Sequence, residues 1–268
     1  MSIKPYTKSD IMAAYKAVGG SAGKVVFLTS DMGRLGAADI RAKNELLEAH
    51  LTVLRCLLGN TGTIVVPTGC THIANTDTVF DVDTTPSFRV GAFSEFVRTR
   101  PEALRSFHPF VSYAAVGKHA FHITQNTSRH AFGPETPFAR MLDLDAVCVS
   151  VGREIRQTAT VAHHAELLCA VPYRYTKEFM HPVVREGEVS TEPFYLHVQY
   201  MDSDVERGYQ EKIGARFVAS YEYREHPLGR SSVWGYSMQD YFNHAVKEIV
   251  ADPYVWCKVE PTRRPWQV

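Results

Sequence analysis

The chain has 268 residues, 45% of them hydrophobic and 11% aromatic, and its 29 Lys plus Arg balance 29 Asp plus Glu. This is the composition of a soluble globular protein long enough to bury a large core without a disulfide or structural metal. Zero net charge with no run of like charges excludes an extended basic field for nucleic acid or an anionic membrane, and argues equally against a polycationic partner.

Taken in chain order, Thr7, Ser9 and Asp10 can cap a first helix whose Ile11, Ala14, Tyr15 and Val18 share one face, and Gly19-Gly20 ends it. Residues 24–29 read as a buried strand, 37–58 as a helix and 63–67 as a second apolar strand. Helix, strand, helix, strand is an α/β signature. From 68 to 89 the chain is rich in Thr and Asp with little periodicity, as a functional loop would be. A short helix over 91–98, an extended stretch over 110–116 and a helix over 118–126 follow. Pro137 opens another short helix, 146–151 is the third apolar strand, and 161–169 is helical. Residues 173–200 read as strands joined by turns such as Arg185-Glu186-Gly187-Glu188. In the last third, helices near 205–213 and 238–250 flank a strand-like 215–220. Without repeats or a flexible linker, one domain over 1–268 is expected.

The opening segment breaks its apolar positions with Lys, Asp and Pro, and no window is apolar for long enough to span a bilayer. Cys56, Cys70, Cys148, Cys169 and Cys257 are scattered without a paired spacing, which fits a reducing compartment. A cytoplasmic protein is expected.

The segment Thr160-Val161-Ala162-His163-His164-Ala165-Glu166 carries the clearest chemistry. On a helix His163 and Glu166 share a face, so the carboxylate can orient the imidazole, while His164 points elsewhere. Thr160, one turn earlier, can donate into the same pocket; a solvated polar helix start is the plainer alternative. Arg105-Ser106-Phe107-His108-Pro109, with Ser112 nearby, can meet a phosphate or an acid, or form a structural turn. Gly133-Pro134-Glu135-Thr136-Pro137 offers free backbone N–H groups for a phosphate oxygen, or a plain helix cap. Thr29-Ser30-Asp31-Met32-Gly33-Arg34-Leu35-Gly36 is a polar turn leaving the first strand, where α/β proteins place ligands, but it lacks a dinucleotide or P-loop glycine spacing.

No zinc motif is present, and adjacent His163 and His164 cannot face one ion from a regular helix, so no metal is expected. Cys148 lies in an apolar strand and Cys56 and Cys169 on helical stretches, where buried thiols are inert. No GxSxG elbow exists.

As an ordered set, Arg34-Leu35-Gly36, Gly62-Thr63-Ile64-Val65-Val66-Pro67, Gly91-Ala92-Phe93-Ser94-Glu95-Phe96-Val97-Arg98, Arg105-Ser106-Phe107-His108-Pro109, Ser112-Tyr113-Ala114-Ala115-Val116-Gly117, Gly133-Pro134-Glu135-Thr136-Pro137-Phe138-Ala139-Arg140 and the His163 segment resemble the aminoglycoside 3-N-acetyltransferase family. The resemblance concentrates in residues 1–170; residues 171–268 are more divergent. It implies that family's α/β fold, a mixed central sheet flanked by helices and distinct from the GNAT fold, and acyl transfer from coenzyme A to a sugar amine. It implies His163 as catalytic base, with Glu166 the first choice of orienter, Glu95 the second and Thr160 a candidate oxyanion donor. Coenzyme contacts are implied at Ser30, Asp31, Met32, Arg34 and Leu35, at Ser106, His108 and Ser112, and at Gly133, Thr136 and Phe138. Thr136 stands where the family has Ser, and Thr29 where it usually has His, which marks a divergent subgroup.

The acceptor is expected to be an amino sugar. Zero net charge favours a nucleotide-linked amino sugar, received by loop residues such as Arg105, over a polycationic aminoglycoside, although Asp77, Asp81 and Asp83 can form a local acidic cleft. An aminoglycoside acceptor is the alternative, and a non-catalytic carbohydrate- or nucleotide-binding protein or a metal-dependent hydrolase are the readings from other classes. A homodimer is left open.

Overall fold

The computed structural model describes residues 4–154, 160–201 and 210–260. Helix α1 (Lys8–Ala17) starts in a capping box, with the Thr7 hydroxyl accepting from the Asp10 amide and the Asp10 carboxylate accepting from the Thr7 amide. Strand β1 (Val25–Ser30) follows, then α2 (Lys43–Leu58), β2 (Thr63–Pro67), α3 (Ala92–Arg98), β3 (Leu104–Arg105), β4 (Tyr113–Gly117), α4 (Ala120–Thr124), α5 (Pro137–Asp143) and β5 (Val147–Val151). The chain continues through α6 (Val161–Leu168), the hairpin β6 (Arg174–Arg185) and β7 (Glu188–Gln199), α7 (Gln210–Ser220), β8 (Tyr223–Leu228), β9 (Ser231–Ser237) and α8 (Met238–Ala251).

The central sheet has seven strands in the order β3-β4-β2-β1-β5-β9-β8. Strand β1 pairs parallel with β2 on one side and β5 on the other, and every other pairing is antiparallel. Alternate residues of β1 therefore feed two cores. Val26 and Leu28 pack with α1, α2 and α3, whereas Val25 and Phe27 pack with α5, α6, α7 and α8. A third cluster of Cys70, Ile73, Phe80, Phe110, Phe179, Val183 and Phe194 ties the β6–β7 hairpin to the loop after β2.

Several expected boundaries move. The helix expected over 37–58 begins at Lys43, because Tyr6 bridges Ala38 and its backbone bonds to Ala37 and Asp39 hold that stretch extended. The strand expected from 110 begins at Tyr113, since the His108 ring accepts the amides of Phe110 and Val111 and turns the chain there. The helix expected over 118–126 is confined to α4. The strand-like 215–220 is the end of helix α7, where Ile213 and Phe217, four apart, are fully buried on one face. The helix expected from 205 lies outside the described residues before Gln210. Strands β8 and β9 were not expected from the sequence. Cys56 is exposed rather than buried, and Cys169 is half-buried. Among the described residues no helix is long and apolar enough to cross a membrane.

Candidate active site

Helix α6 buries Val161, Ala162 and Ala165 in the core, which turns His163 toward a partly open surface and Glu166 inward. His163 Nδ1 lies 2.6 Å from Glu166 Oε2, with the two side chains 25% and 3% exposed. The other carboxylate oxygen, Oε1, accepts from the Tyr173 hydroxyl at 2.7 Å, and Arg174 Nε pairs with Oε2 at 2.9 Å. Burial alone would raise the Glu166 pKa, but the hydrogen bond and charge of His163, the Arg174 guanidinium and the Tyr173 hydroxyl outweigh it and hold the carboxyl down at about 2.

An ionised Glu166 can only accept, so in the neutral imidazole the proton sits on Nδ1 and the lone pair on Nε2. Arg174 Nη2 also lies 3.3 Å from Nδ1, but a protonated Nδ1 spends its hydrogen on the nearer carboxylate, and the guanidinium is anchored by donating to the His197 carbonyl. Phe132 covers one side of the imidazole with ring centroids 5.8 Å apart. His164 faces the opposite way, between Phe138 and Phe242, and its Nδ1 accepts the Gly133 amide. Burial pulls its pKa down to about 4, with Asp143 opposing the shift, so it is a neutral packing group.

A cavity of about 280 Å³ opens beyond the carboxyl ends of β1 and β2. It sits at the carboxyl ends of the parallel strands, where the chain leaves β1 for β2 on one side and later returns to β5 on the other, the position at which open α/β sheets bind ligands. Thr29, Ser30, Ser112, Arg89, Arg153 and Thr160 contribute to its wall. Thr160 is also the N-cap of α6, and its carbonyl accepts the His163 amide at 3.0 Å, so the cavity abuts the first turn of the helix that carries His163.

The structure thus brings together His163 and Glu166 at one point and Ser30, Ser112 and Thr160 at another. The remaining predicted residues are placed elsewhere. Glu95 does not reach His163: its carboxylate is occupied by Arg98 and by the Ser87 amide and hydroxyl. Burial would raise its pKa, but those donors hold it down at about 2. Arg105, expected to receive substrate, is buried and donates to the carbonyls of Thr68, Val82 and Thr85 and to the Ser112 hydroxyl. It clips the loop after β2 to the sheet. Ser106 accepts the Tyr113 amide, and His108 accepts two amides from within the third cluster, so the structural-turn alternative holds for both.

Thr136 is the N-cap of α5, where its hydroxyl accepts the Ala139 amide, Gly133 gives its N–H to His164, and Phe138 is fully buried, so the Gly133 amide expected to seat a phosphate is spent internally. Leu35 is likewise fully buried, and Met32 packs against the α1 and α2 side of the sheet. Asp31 and Arg34 pair at 3.2 Å. Asp81 caps its own loop by accepting the amides of Asp83 and Thr84, and none of Asp77, Asp81 and Asp83 lines the cavity. The acidic cleft expected from these three is not formed there, because their loop turns its polar groups on itself.

The model of the family described as Aminoglycoside 3-N-acetyltransferase matches residues 27–249. The chain belongs to that family. An aminoglycoside N(3)-acetyltransferase III of Pseudomonas aeruginosa is 25% identical over 262 residues, covering 91% of this chain and 93% of its own. Among solved structures, the YokD protein from Bacillus subtilis superposes with a TM-score of 0.79 at 21% identity, covering 94% of this chain and 96% of that one. AAC-IIIb in binary complex with CoASH superposes with a TM-score of 0.80 at 20% identity, covering 96% of this chain and 100% of that one. The fold is therefore the mixed sheet flanked by helices that characterises the aminoglycoside 3-N-acetyltransferases.

Membership makes the chain an acyl-CoA-dependent N-acyltransferase with coenzyme A as cosubstrate. The residues present fit that cosubstrate: the buried Ser30 Oγ and Arg153 Nε, both in the cavity wall, have no hydrogen-bond partner. Among the described residues no group of three metal-capable side chains comes together. Tyr173 and Arg174, which complete the Glu166 site, were missed because they open a strand rather than extend the helical motif. Arg89 and Arg153 were missed because each is isolated in sequence; only the folded chain brings the loop before α3 and the end of β5 to one cavity.

Proposed function

We propose that this enzyme transfers an acetyl group from acetyl-CoA to an amino group of an aminoglycoside-type amino sugar, with His163 as general base. The names of its relatives support an aminoglycoside acceptor over the nucleotide-linked amino sugar favoured by net charge, which reports on the whole surface and not on the acceptor site. The observation that carries the mechanism is the short contact between Nδ1 of His163 and the buried, ionised Glu166.

A protonated amine has no lone pair with which to attack a carbonyl, so it must lose a proton before the C–N bond can form; the C–S bond of the thioester then breaks and the coenzyme leaves as the thiol, taking up a proton. The Nε2 lone pair of His163 is the acceptor for that proton. As the imidazole becomes cationic, the carboxylate 2.6 Å away stabilises it, and Tyr173 and Arg174 keep that carboxylate ionised and in place. The Thr160 hydroxyl, at the junction of the cavity and α6, is the donor proposed for charge developing on the reacting oxygen. When bound, the coenzyme supplies the activated thioester. Transfer is direct, without an acyl-enzyme: the Cys148 thiol is buried in β5 and burial pushes its pKa up to about 12.

The test is thiol release from acetyl-CoA by the purified enzyme with a panel of aminoglycosides and, separately, a nucleotide-linked amino sugar. Acceptor-dependent release with an aminoglycoside is expected. Release with the nucleotide-linked sugar alone would overturn the acceptor, and release with neither would favour a binding protein on this scaffold.

A further inference from the structure

We propose that Tyr195, His130 and Glu178 form a seat for a second, ammonium-bearing ring of the acceptor, one ring away from the amine that is acylated. The rings of His130 and Tyr195 are stacked, with centroids 4.5 Å apart and planes at 16°. The backbone fixes that stack: Tyr195 gives its amide to the Arg129 carbonyl, and its own carbonyl accepts the Ala131 amide. The Tyr195 hydroxyl donates to Glu178 Oε2 at 2.8 Å across the β6–β7 ladder, where the two residues are direct partners. Glu178 is exposed, and among the described residues no cationic side chain pairs with it.

The register of the hairpin brings this patch beside His163. Side chains alternate along β7, so Tyr195 and His197 share one face while Phe194, Leu196 and Val198 turn to the third cluster. At His197 the strand reaches the Glu166 site, because the His197 carbonyl accepts from Arg174, which pairs with Glu166. The segment bridged to β7 takes the same two-residue step, from His130 on Tyr195 to Phe132, which covers the His163 imidazole. Two residues of extended chain span about 6.5–7 Å, a step that a neighbouring ring of an oligosaccharide covers.

An aromatic face packs the C–H face of a sugar ring and attracts an ammonium group, and a carboxylate at the ring's edge adds a charge-assisted hydrogen bond. The cations around the patch are engaged elsewhere. Arg129, beside Tyr195, pairs with Glu192 at 2.7 Å, and the Lys177 ammonium lies over the Phe179 ring. His197, between the patch and the Glu166 site, has its pKa pulled down to about 4 by burial and by the Arg174 charge, with Glu166 opposing and His163 adding to the shift. It is therefore neutral near pH 7 and sets no positive charge in the path of a cationic acceptor. The acidic contact that Asp77, Asp81 and Asp83 do not supply at the cavity comes instead from the hairpin. The assignment rests on the proposed aminoglycoside-type acceptor. A nucleobase stacks on the same rings but gains nothing from the carboxylate, and the experiment separates the two.

The experiment measures thiol release from acetyl-CoA and calorimetric acceptor binding for the wild type, Glu178→Gln, Tyr195→Ala and Tyr195→Phe, after circular dichroism has shown that each variant is folded. The acceptors are a three-ring aminoglycoside, the single aminocyclitol ring 2-deoxystreptamine, and a nucleotide-linked amino sugar. Glu178→Gln and Tyr195→Ala are each expected to raise the KM for the aminoglycoside by at least about threefold, with kcat changed less than about twofold. The loss in kcat/KM is expected to be larger for the aminoglycoside than for the single ring, and Tyr195→Phe, which keeps the aromatic face, is expected to retain more affinity than Tyr195→Ala. The Glu178→Gln loss shrinks in about 1 M salt, where exposed charges are screened. Unchanged KM and affinity for the aminoglycoside in both Glu178→Gln and Tyr195→Ala would overturn the seat, as would equal losses with the aminoglycoside and the single ring. A Tyr195→Ala loss confined to the nucleotide-linked sugar would overturn the ammonium assignment in favour of a nucleobase. Wild-type release with variants that match it refutes the seat and leaves the proposed function standing. Aminoglycoside binding that weakens in the variants, with no release by the wild type from any acceptor, supports the seat and refutes that function.

Discussion

Replacing Glu166 by Gln preserves shape and removes one charge, and the groups around the carboxylate dictate how the new amide must lie. The Tyr173 hydroxyl needs an acceptor, so the amide oxygen takes the place of Oε1 and the NH₂ group faces His163 Nδ1 and Arg174. Nδ1 must then accept, the imidazole proton moves to Nε2, and the base is lost to the wrong tautomer. Removal of a general base lowers turnover by about 10²–10⁴-fold. Stability falls as well, because Arg174, only 4% exposed, is left as an unpaired buried cation, a loss of about 3–5 kcal/mol. For a domain of this size each kcal/mol lowers Tm by about 2–4 °C. Steady-state kinetics below the unfolding range, together with calorimetric Tm, are the assays. The expected result is a collapse of kcat with the KM for acetyl-CoA little changed and a Tm lower by about 6 °C or more. A kcat within twofold of wild type would refute the tautomer argument, and an unchanged Tm would refute the buried ion-pair argument.

Burial pulls the His50 pKa down to about 4 and the His108 pKa to about 3, against an ordinary value of 6.5. The unfolded chain therefore binds their protons first, so the stability they contribute is complete above about pH 6.5. It is lost as pH falls toward those folded values, by about 1.4 kcal/mol per pH unit for each group. The urea midpoint is expected to decline steadily from pH 7 to pH 4.5, and a flat profile would contradict this. Arg105→Lys gives up the guanidinium fork that holds the carbonyls of Thr68, Val82 and Thr85. A stability loss of about 3 kcal/mol is expected by thermal unfolding, and an unchanged Tm would show that the loop after β2 does not depend on the clip.

The parallel core and the His163–Glu166 pair were legible in the sequence because each rests on local rules. Buried strands read as apolar runs, and three-residue spacing on a helix places two side chains on one face. Helix α7 was misread in part because Ala215, Phe217 and Ala219 also satisfy a period of two, and only the burial of Ile213 with Phe217 decides for the helix. The roles of Arg105 and His108 were not legible either. Both have side chains suited to ligands, and only the three-dimensional path of the loop after β2 and of the β6–β7 hairpin shows that their partners are internal. Net charge pointed to a less cationic acceptor than the relatives' names support, since a global sum carries no information about where the charges stand.

The central claim is that His163 takes the proton from the attacking amine. It is tested most directly by His163→Asn, assayed for thiol release from acetyl-CoA with an aminoglycoside acceptor, alongside calorimetric binding of coenzyme A. The account expects turnover to fall by at least about 10²-fold while coenzyme A binds with near wild-type affinity. Turnover at the wild-type rate in the folded variant would remove His163 from the mechanism.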